Sequence, residues 1–212
     1  MSSLEDTIFA PATAPGKAGV AIVRVSGPAA TETFTVLTDR VFPSPREMTV
    51  AVFKDPSSGK IIDLGMAVFF KGPHSFTGED VVEYHLHGGR AVVEGLLRSL
   101  PQIPGCRMAE PGEFTRRAFE NGKLDLTEAE AVADLIAAET ESQRVQALDQ
   151  LGGALSALYA GWAELLKKTP EYLTDRATME ESEQFQRRAD EIFAKMRLSG
   201  MGFDAAAFFS GP

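Results

Sequence analysis

The chain has 212 residues, is 44% apolar and carries a formal net charge of −9. That length suits about one to two domains, with enough apolar matter for a core. Residues 1–168 hold 16 cations against 22 acids and residues 169–212 hold 5 against 8, so neither part is expected to supply the main electrostatic grip on a nucleic acid. The single cysteine, Cys106, excludes an internal disulfide. The N-terminus lacks a basic stretch followed by an apolar run, and no apolar run reaches the ~18 residues of a membrane span. A cytoplasmic protein with no membrane attachment is expected.

Residues 19–25 (GVAIVRV) read as a buried strand, entered and left through the turn signals Pro15-Gly16 and Ser26-Gly27-Pro28. Residues 29–37 read as a short helix. Residues 48–53 and 61–70 read as two strands joined as a hairpin across Asp55-Pro56-Ser57-Ser58-Gly59. A polar loop, Gly72 to Asp80, precedes the alternating strand VVEYHLH of residues 81–87. Its period of two puts Val82, Tyr84 and Leu86 on one face, and Glu83, His85 and His87 with Val81 on the other. Helices follow over residues 91–100 and after Pro111-Gly112-Glu113-Phe114, the latter stopped by Asn121-Gly122.

From Thr127 the character changes. Thr127-Glu128-Ala129-Glu130 reads as a capping box, and one helical pattern then runs to about Lys168. Leu148, Leu151, Leu155, Leu158, Trp162 and Leu165 form a heptad seam that Gly152-Gly153 interrupts. A helix of ~40 residues would extend ~60 Å, so its seam requires a partner. Residues 180–198 read as a further helix with Phe185, Ala189, Ile192 and Met196 on one stripe.

The chemistry-bearing residues are few. Neither Gly16-Lys17-Ala18 nor Gly122-Lys123-Leu124 completes a phosphate-binding P-loop, so GTP, magnesium and potassium are not expected ligands. Glu83, His85 and His87 could ligate a metal, wall a polar ligand, or lie on the solvated face of an edge strand; no metal is assigned to them. A carboxylate at Glu83 could accept two adjacent N–H donors of a pterin-like ring. Arg24, in an apolar strand, must be ion-paired or face a cleft. Arg116, Arg117 and Lys123 are either a wet helix surface or an anion pocket. The loop holding Phe76 is either a plain turn or a ligand cover. Cys106, with no nearby histidine, reads as a packing or surface thiol rather than a nucleophile.

The motifs DTIFAPATAPGKAGVAIVRVSG (residues 6–27), GPHSFTGED (72–80), His87-Gly88-Gly89, PGEFTRRAFENGKLDL (111–126) and AEAVADLI (129–136) occur in order. Together they resemble the MnmE (TrmE) family of tRNA-modification GTPases. The resemblance covers about residues 5–168.

The resemblance implies an α+β fold: a mixed-sheet domain related to tetrahydrofolate-binding aminomethyltransferases over residues 1–122, then a long-helix extension. Residues 123–168 would begin a helical domain, and residues 169–212 would be a divergent helical tail. It implies binding of 5-formyl- or 5,10-methylene-tetrahydrofolate, with Arg24, Glu83 and Lys123 at the folate-contact positions and Phe76, His85 and Arg116 as further pocket candidates. It implies a homodimer through the N-terminal domain, a flavoprotein partner, MnmG (GidA), and action on C5 of the wobble uridine of tRNA. Past Lys168 the family pattern stops and the GTPase domain is missing. The expectation is therefore a truncated family member that hydrolyses no GTP by itself. The alternatives are a folate-blind dimerising partner of a full-length family protein and a stand-alone one-carbon transferase using the Glu83–His85–His87 face.

Overall fold

The computed structural model describes residues 6–42, 44–153, 156–160 and Arg187. They belong to two compact units, one reaching Glu110 and the other starting at Pro111.

The first unit is a six-stranded mixed sheet with helices on one face. In chain order it contains β1 (Thr7–Pro11), β2 (Ala18–Ser26), α1 (Ala30–Thr38), β3 (Thr49–Lys54), β4 (Ile61–Phe70), β5 (Val81–Gly88), α2 (Arg90–Ser99), a 3-10 turn (Leu100–Gln102) and β6 (Cys106–Met108). The sheet order is β3-β4-β5-β2-β1-β6. All neighbours are antiparallel except β1 and β6, which run parallel. The β3–β4 hairpin forms as its turn sequence requires, with Asp55 N donating to Lys60 O at 2.9 Å.

The alternation in β2 and β5 decides which face is buried. Val23, Val25, Val82 and Tyr84 are fully buried and join Phe34, Phe53, Leu96 and Leu97 in one core beneath α1 and α2. Arg24, Glu83 and His85 occupy the opposite face. Strand β5 is interior, between β4 and β2, which corrects the edge-strand reading of residues 81–87. The true edges are β3 and the three-residue β6. At the β3 edge, Arg40 Nη1 donates to the Val50 carbonyl at 2.8 Å.

Two buried polar contacts fasten this unit. Thr33 Oγ1 donates to Ala30 O at 2.6 Å, so its 2.6 Å contact with Tyr84 is donated by the tyrosine hydroxyl. Burial raises the Tyr84 pKa far above its ordinary value. At the exit of β2, Gly27 has φ +132°, and a Cβ there would lie 2.7 Å from Asp6 O and 2.8 Å from Thr7 Cα. Only glycine lets the two chain segments approach so closely.

The second unit contains α3 (Glu113–Glu120), α4 (Leu126–Ala137) and α5 (Glu141–Leu151). The single long helix expected from residue 127 is not what forms. Ala138 is extended, and Thr140 opens a new helix with its own capping box: Gln143 N donates to Thr140 Oγ1, and Thr140 N to Gln143 Oε1 at 3.0 Å. The box that starts α4 lies two residues earlier than Thr127. Asp125 is the cap, taking Glu128 N at 2.8 Å and giving its own N–H to Glu128 Oε2 at 2.7 Å. Gly152 caps α5 and Gly153 takes φ +81°, so this pair ends the helix rather than bending it.

Helices α4 and α5 form an antiparallel hairpin. The end of α5 and the residues after it return to the start of α4, where Gln150 Nε2 donates to Thr127 O at 3.4 Å and Ser156 meets Thr127 Oγ1 at 2.7 Å. Ala129, Ala133 and Ala147 are buried, whereas Leu148 and Leu158 of the expected seam are exposed. The seam residues Leu155, Trp162 and Leu165, and the tail helix expected at 180–198 apart from Arg187, lie outside the described residues. Among the described residues, no helix is long and apolar enough to cross a membrane.

Candidate functional site

The register between β2 and β5 places Arg24 directly opposite Glu83. Arg24 lies on the non-core face because Val23 and Val25 on either side of it are in the core; Glu83 does so because Val82 and Tyr84 are. A directly opposed pair on an antiparallel ladder is close enough for side chains to meet. Arg24 Nε donates to Glu83 Oε1 at 2.8 Å, and Nη2 approaches the same oxygen at 2.8 Å. This is the ion pair that an arginine in an apolar strand demanded. It remains partly open to solvent, with side-chain exposures of 28% for Arg24 and 17% for Glu83.

The other carboxylate oxygen, Oε2, looks toward His85 Nε2 at 3.9 Å, beyond hydrogen-bond range. That imidazole nitrogen is buried and has no hydrogen-bond partner among the described residues. The Phe76 ring faces the Arg24 guanidinium, with the ring centroid 5.3 Å from Cζ, a cation–π distance. Arg24, Glu83, His85 and Phe76 are thus brought together. His87 is not. It turns outward to Asp63, which takes His87 N at 2.8 Å and meets Nδ1 at 2.8 Å. Among the described residues, no three His, Cys, Asp or Glu side chains converge as metal ligands.

Beyond His85 the same face opens into an apolar cleft of about 320 Å³. Its lining includes Val20, Val50, Leu64 and Met66, all of them exposed.

In the second unit, Arg116, Arg117 and Lys123 part company. Arg117 is fully buried and its Nη2 donates to Glu113 Oε1 at 3.1 Å, so it is no wet-surface residue. Arg116 is mostly buried and lies 3.8 Å from the same Glu113 oxygen. Lys123 is exposed, and its backbone N–H closes the end of α3 on Ala118 O at 2.8 Å.

Cys106 on β6 is half-buried, and burial, with Glu32 nearby, pushes its pKa up to about 11. Burial that raises a thiol's pKa disfavours the thiolate, the form in which a cysteine attacks.

The sequence reading missed the polar cluster that seats the Phe76 loop. Ser26 Oγ donates to Glu79 Oε2 at 2.6 Å and meets Thr77 Oγ1 at 2.7 Å. Ser26 sits in a turn signal and reads as punctuation. Its place on the Arg24 face of β2, two residues on, was the available clue.

The family model for the GTP-binding protein TrmE N-terminus matches residues 7–123. The chain belongs to this family, the MnmE (TrmE) family of tRNA-modification GTPases, and corresponds to its N-terminal part. It is 56% identical over 167 residues to the tRNA modification GTPase MnmE of Parvibaculum lavamentivorans, covering 79% of this chain and 38% of that protein. It is 58% identical over 163 residues to the tRNA modification GTPase MnmE of Caulobacter vibrioides, covering 77% and 36%. It is 54% identical over 163 residues to the human mitochondrial 5-taurinomethyluridine-[tRNA] synthase subunit GTPB3, covering 76% and 33%. The chain therefore spans between a third and two fifths of the length of these relatives.

Proposed function

We propose that this chain is the folate-binding, dimerising module of the machinery that modifies C5 of the tRNA wobble uridine. It takes 5-formyl- or 5,10-methylene-tetrahydrofolate, with Glu83 at the pterin edge, Arg24 holding that carboxylate, and Lys123, by the family resemblance, as a further folate-contact residue. Phe76 and His85 are its further pocket residues, and Arg116 of the second unit is a further candidate carried by the resemblance. The observation that carries this reading is the Arg24–Glu83 pair, planted on the non-core face of a central strand pair with an aromatic ring beside it. A carboxylate held from one side by a guanidinium is suited to meeting adjacent N–H donors of a planar ring with its other oxygen. Pairing with a second copy is supported by the exposed apolar cleft around Val20, Val50, Leu64 and Met66, since apolar patches on soluble proteins mark contact surfaces. The flavoprotein MnmG and tRNA are partners in this reading. GTP hydrolysis is not assigned to this chain by itself, because its sequence holds no P-loop.

Calorimetric titration of the 212-residue chain with 5-formyltetrahydrofolate tests the ligand. Saturable heat, weakened at least about tenfold by Arg24→Ala and by Lys123→Ala, is the expected result. A folded chain that gives no heat sinks the folate assignment. Sedimentation equilibrium tests the pairing: Met66→Lys is expected to shift a dimer toward monomer, and a parent chain that sediments as monomer removes the dimer from the proposal.

A further inference from the structure

The loop between β4 and β5 is seated at several points. Gly72 N donates to Asp80 Oδ1 at 2.9 Å, and Gly27 N to Asp80 O at 3.0 Å. Ser75 Oγ donates to Glu79 O at 2.5 Å, and Arg46 Nη2 to His74 O at 2.7 Å. Gly72 passes so close to Gly78 that a Cβ on it would lie 2.7 Å from the Gly78 carbonyl oxygen. These contacts fold the loop on itself and tie its ends. They do not by themselves decide where Phe76 points.

That decision falls to Thr77, the next residue. Thr77 and Ser26 are both fully buried. Ser26 has one hydroxyl hydrogen and gives it to Glu79 Oε2, because a carboxylate oxygen can only accept. The 2.7 Å contact between Ser26 and Thr77 is therefore donated by Thr77. The hydroxyls form a directed chain, Thr77 to Ser26 to Glu79, and the Glu79 amide closes it on Thr77 Oγ1 at 3.3 Å. Ser26 is the anchor on the sheet, two residues after Arg24 on the same face of β2. A loop clamped at Thr77 to that strand has its Phe76 ring fixed over Arg24, at the observed 5.3 Å. Buried hydroxyl chains of this kind hold one arrangement, since breaking any link strands a polar group away from water.

We propose that Thr77 and Glu79, acting through Ser26, are positioning residues that lock Phe76 against Arg24 and so hold the Arg24–Glu83 pair in its ligand-ready orientation. This rests on the reading of that pair as a ligand site. It adds that the threonine hydroxyl is a determinant of affinity although it lies on the loop's buried side.

The test compares Thr77→Val, which keeps the shape and removes the hydroxyl, with Thr77→Ser, which restores the hydroxyl. Two measurements are made on the whole chain. Hydrogen exchange of the Gly72 and Gly27 amides reports on the loop without any ligand. Titration with 5-formyltetrahydrofolate reports on the site. Thr77→Val is expected to speed exchange at both amides while β5 stays protected, and to weaken binding about tenfold. Thr77→Ser is expected to return both to within about threefold of the parent, a rescue that loss of bulk stability would not give. In a Phe76→Ala background, Thr77→Val should weaken binding no further, because the threonine acts through that ring. Equal exchange and equal affinity in parent and Thr77→Val overturn the proposal, and so does additivity in the double variant. If the parent takes up no folate, the ligand assignment falls separately, and the lock stands or falls on the exchange result.

Discussion

Replacing Glu83 with glutamine separates a ligand anchor from a mere partner of Arg24. Two donors of Arg24, each at 2.8 Å, share Glu83 Oε1. A glutamine can keep that geometry only by turning its carbonyl oxygen to the arginine, which places its NH2 where Oε2 now lies. Losing the charge weakens the bonds to Arg24, but solvent already screens a pair with 28% and 17% side-chain exposure. The stability cost should be about 1 kcal/mol, or roughly 4 °C in melting temperature for a unit of this size. The cost to the ligand is larger. Donors on the ring that met a carboxylate oxygen would now meet another donor, a loss of about 2–4 kcal/mol, or roughly 30- to 1,000-fold in affinity. Thermal unfolding by circular dichroism and calorimetric titration with 5-formyltetrahydrofolate measure the two costs on one sample. If Glu83→Gln binds within about threefold of the parent while melting lower, Glu83 serves Arg24 alone and the anchor argument is wrong.

Three further outcomes follow from the first unit's interior. Tyr84→Phe removes a donor and leaves Thr33 still bonded to Ala30, whereas Thr33→Val leaves the buried Tyr84 hydroxyl without its acceptor. Urea titration should therefore find the valine variant less stable by about 1 kcal/mol more, and the opposite ranking would show the donor assignment to be reversed. Gly27→Ala forces a Cβ to 2.7 Å from Asp6 O at φ +132°, and backbone cannot yield as a side-chain tip can. A destabilisation of at least about 2 kcal/mol by the same assay is expected, and a neutral substitution would refute the close-approach account. Burial raises the pKa of both Tyr84 and Cys106 over their ordinary values of 10.0 and 9.0. Above about pH 9 the unfolded chain releases protons that the folded chain retains, so stability is intact below that pH and declines as pH rises further. Cys106→Ala should remove the earliest part of that decline in urea midpoints measured across the range, and an unchanged profile would rule the thiol out.

What could be read from the sequence follows the range of each interaction. Strands β2 and β5 carry their faces in their own alternation, and the β3–β4 hairpin is written in its turn residues. Strands β1 and β6 have no such signature. One is a five-residue segment ending in Pro11 and the other has three residues, and they find each other only by parallel pairing of Thr7 with Cys106 across the whole unit. The helical extension misled for another reason. The helical pattern read from residue 127 ran on past Ala138, while the stop-and-start information lay in Thr140 and Gln143, whose capping box opens a separate helix. At the candidate site, alternation put Arg24 and Glu83 on non-core faces, but their meeting depends on a register between strands 59 residues apart. The Ser26–Thr77–Glu79 chain was invisible because hydroxyl residues in turns look alike until their partners are known.

The Arg40 side chain on the Val50 carbonyl has a bearing on how the protein behaves at high concentration. A sheet can grow by annealing another chain's strand to its border, which is how many β proteins polymerise. At the β3 border an acceptor that an incoming strand would use is already taken by a guanidinium. At the β6 border only three residues offer a template. Extension of the sheet is thus discouraged at both described borders, and its open face presents side chains rather than an unfilled hydrogen-bond ladder.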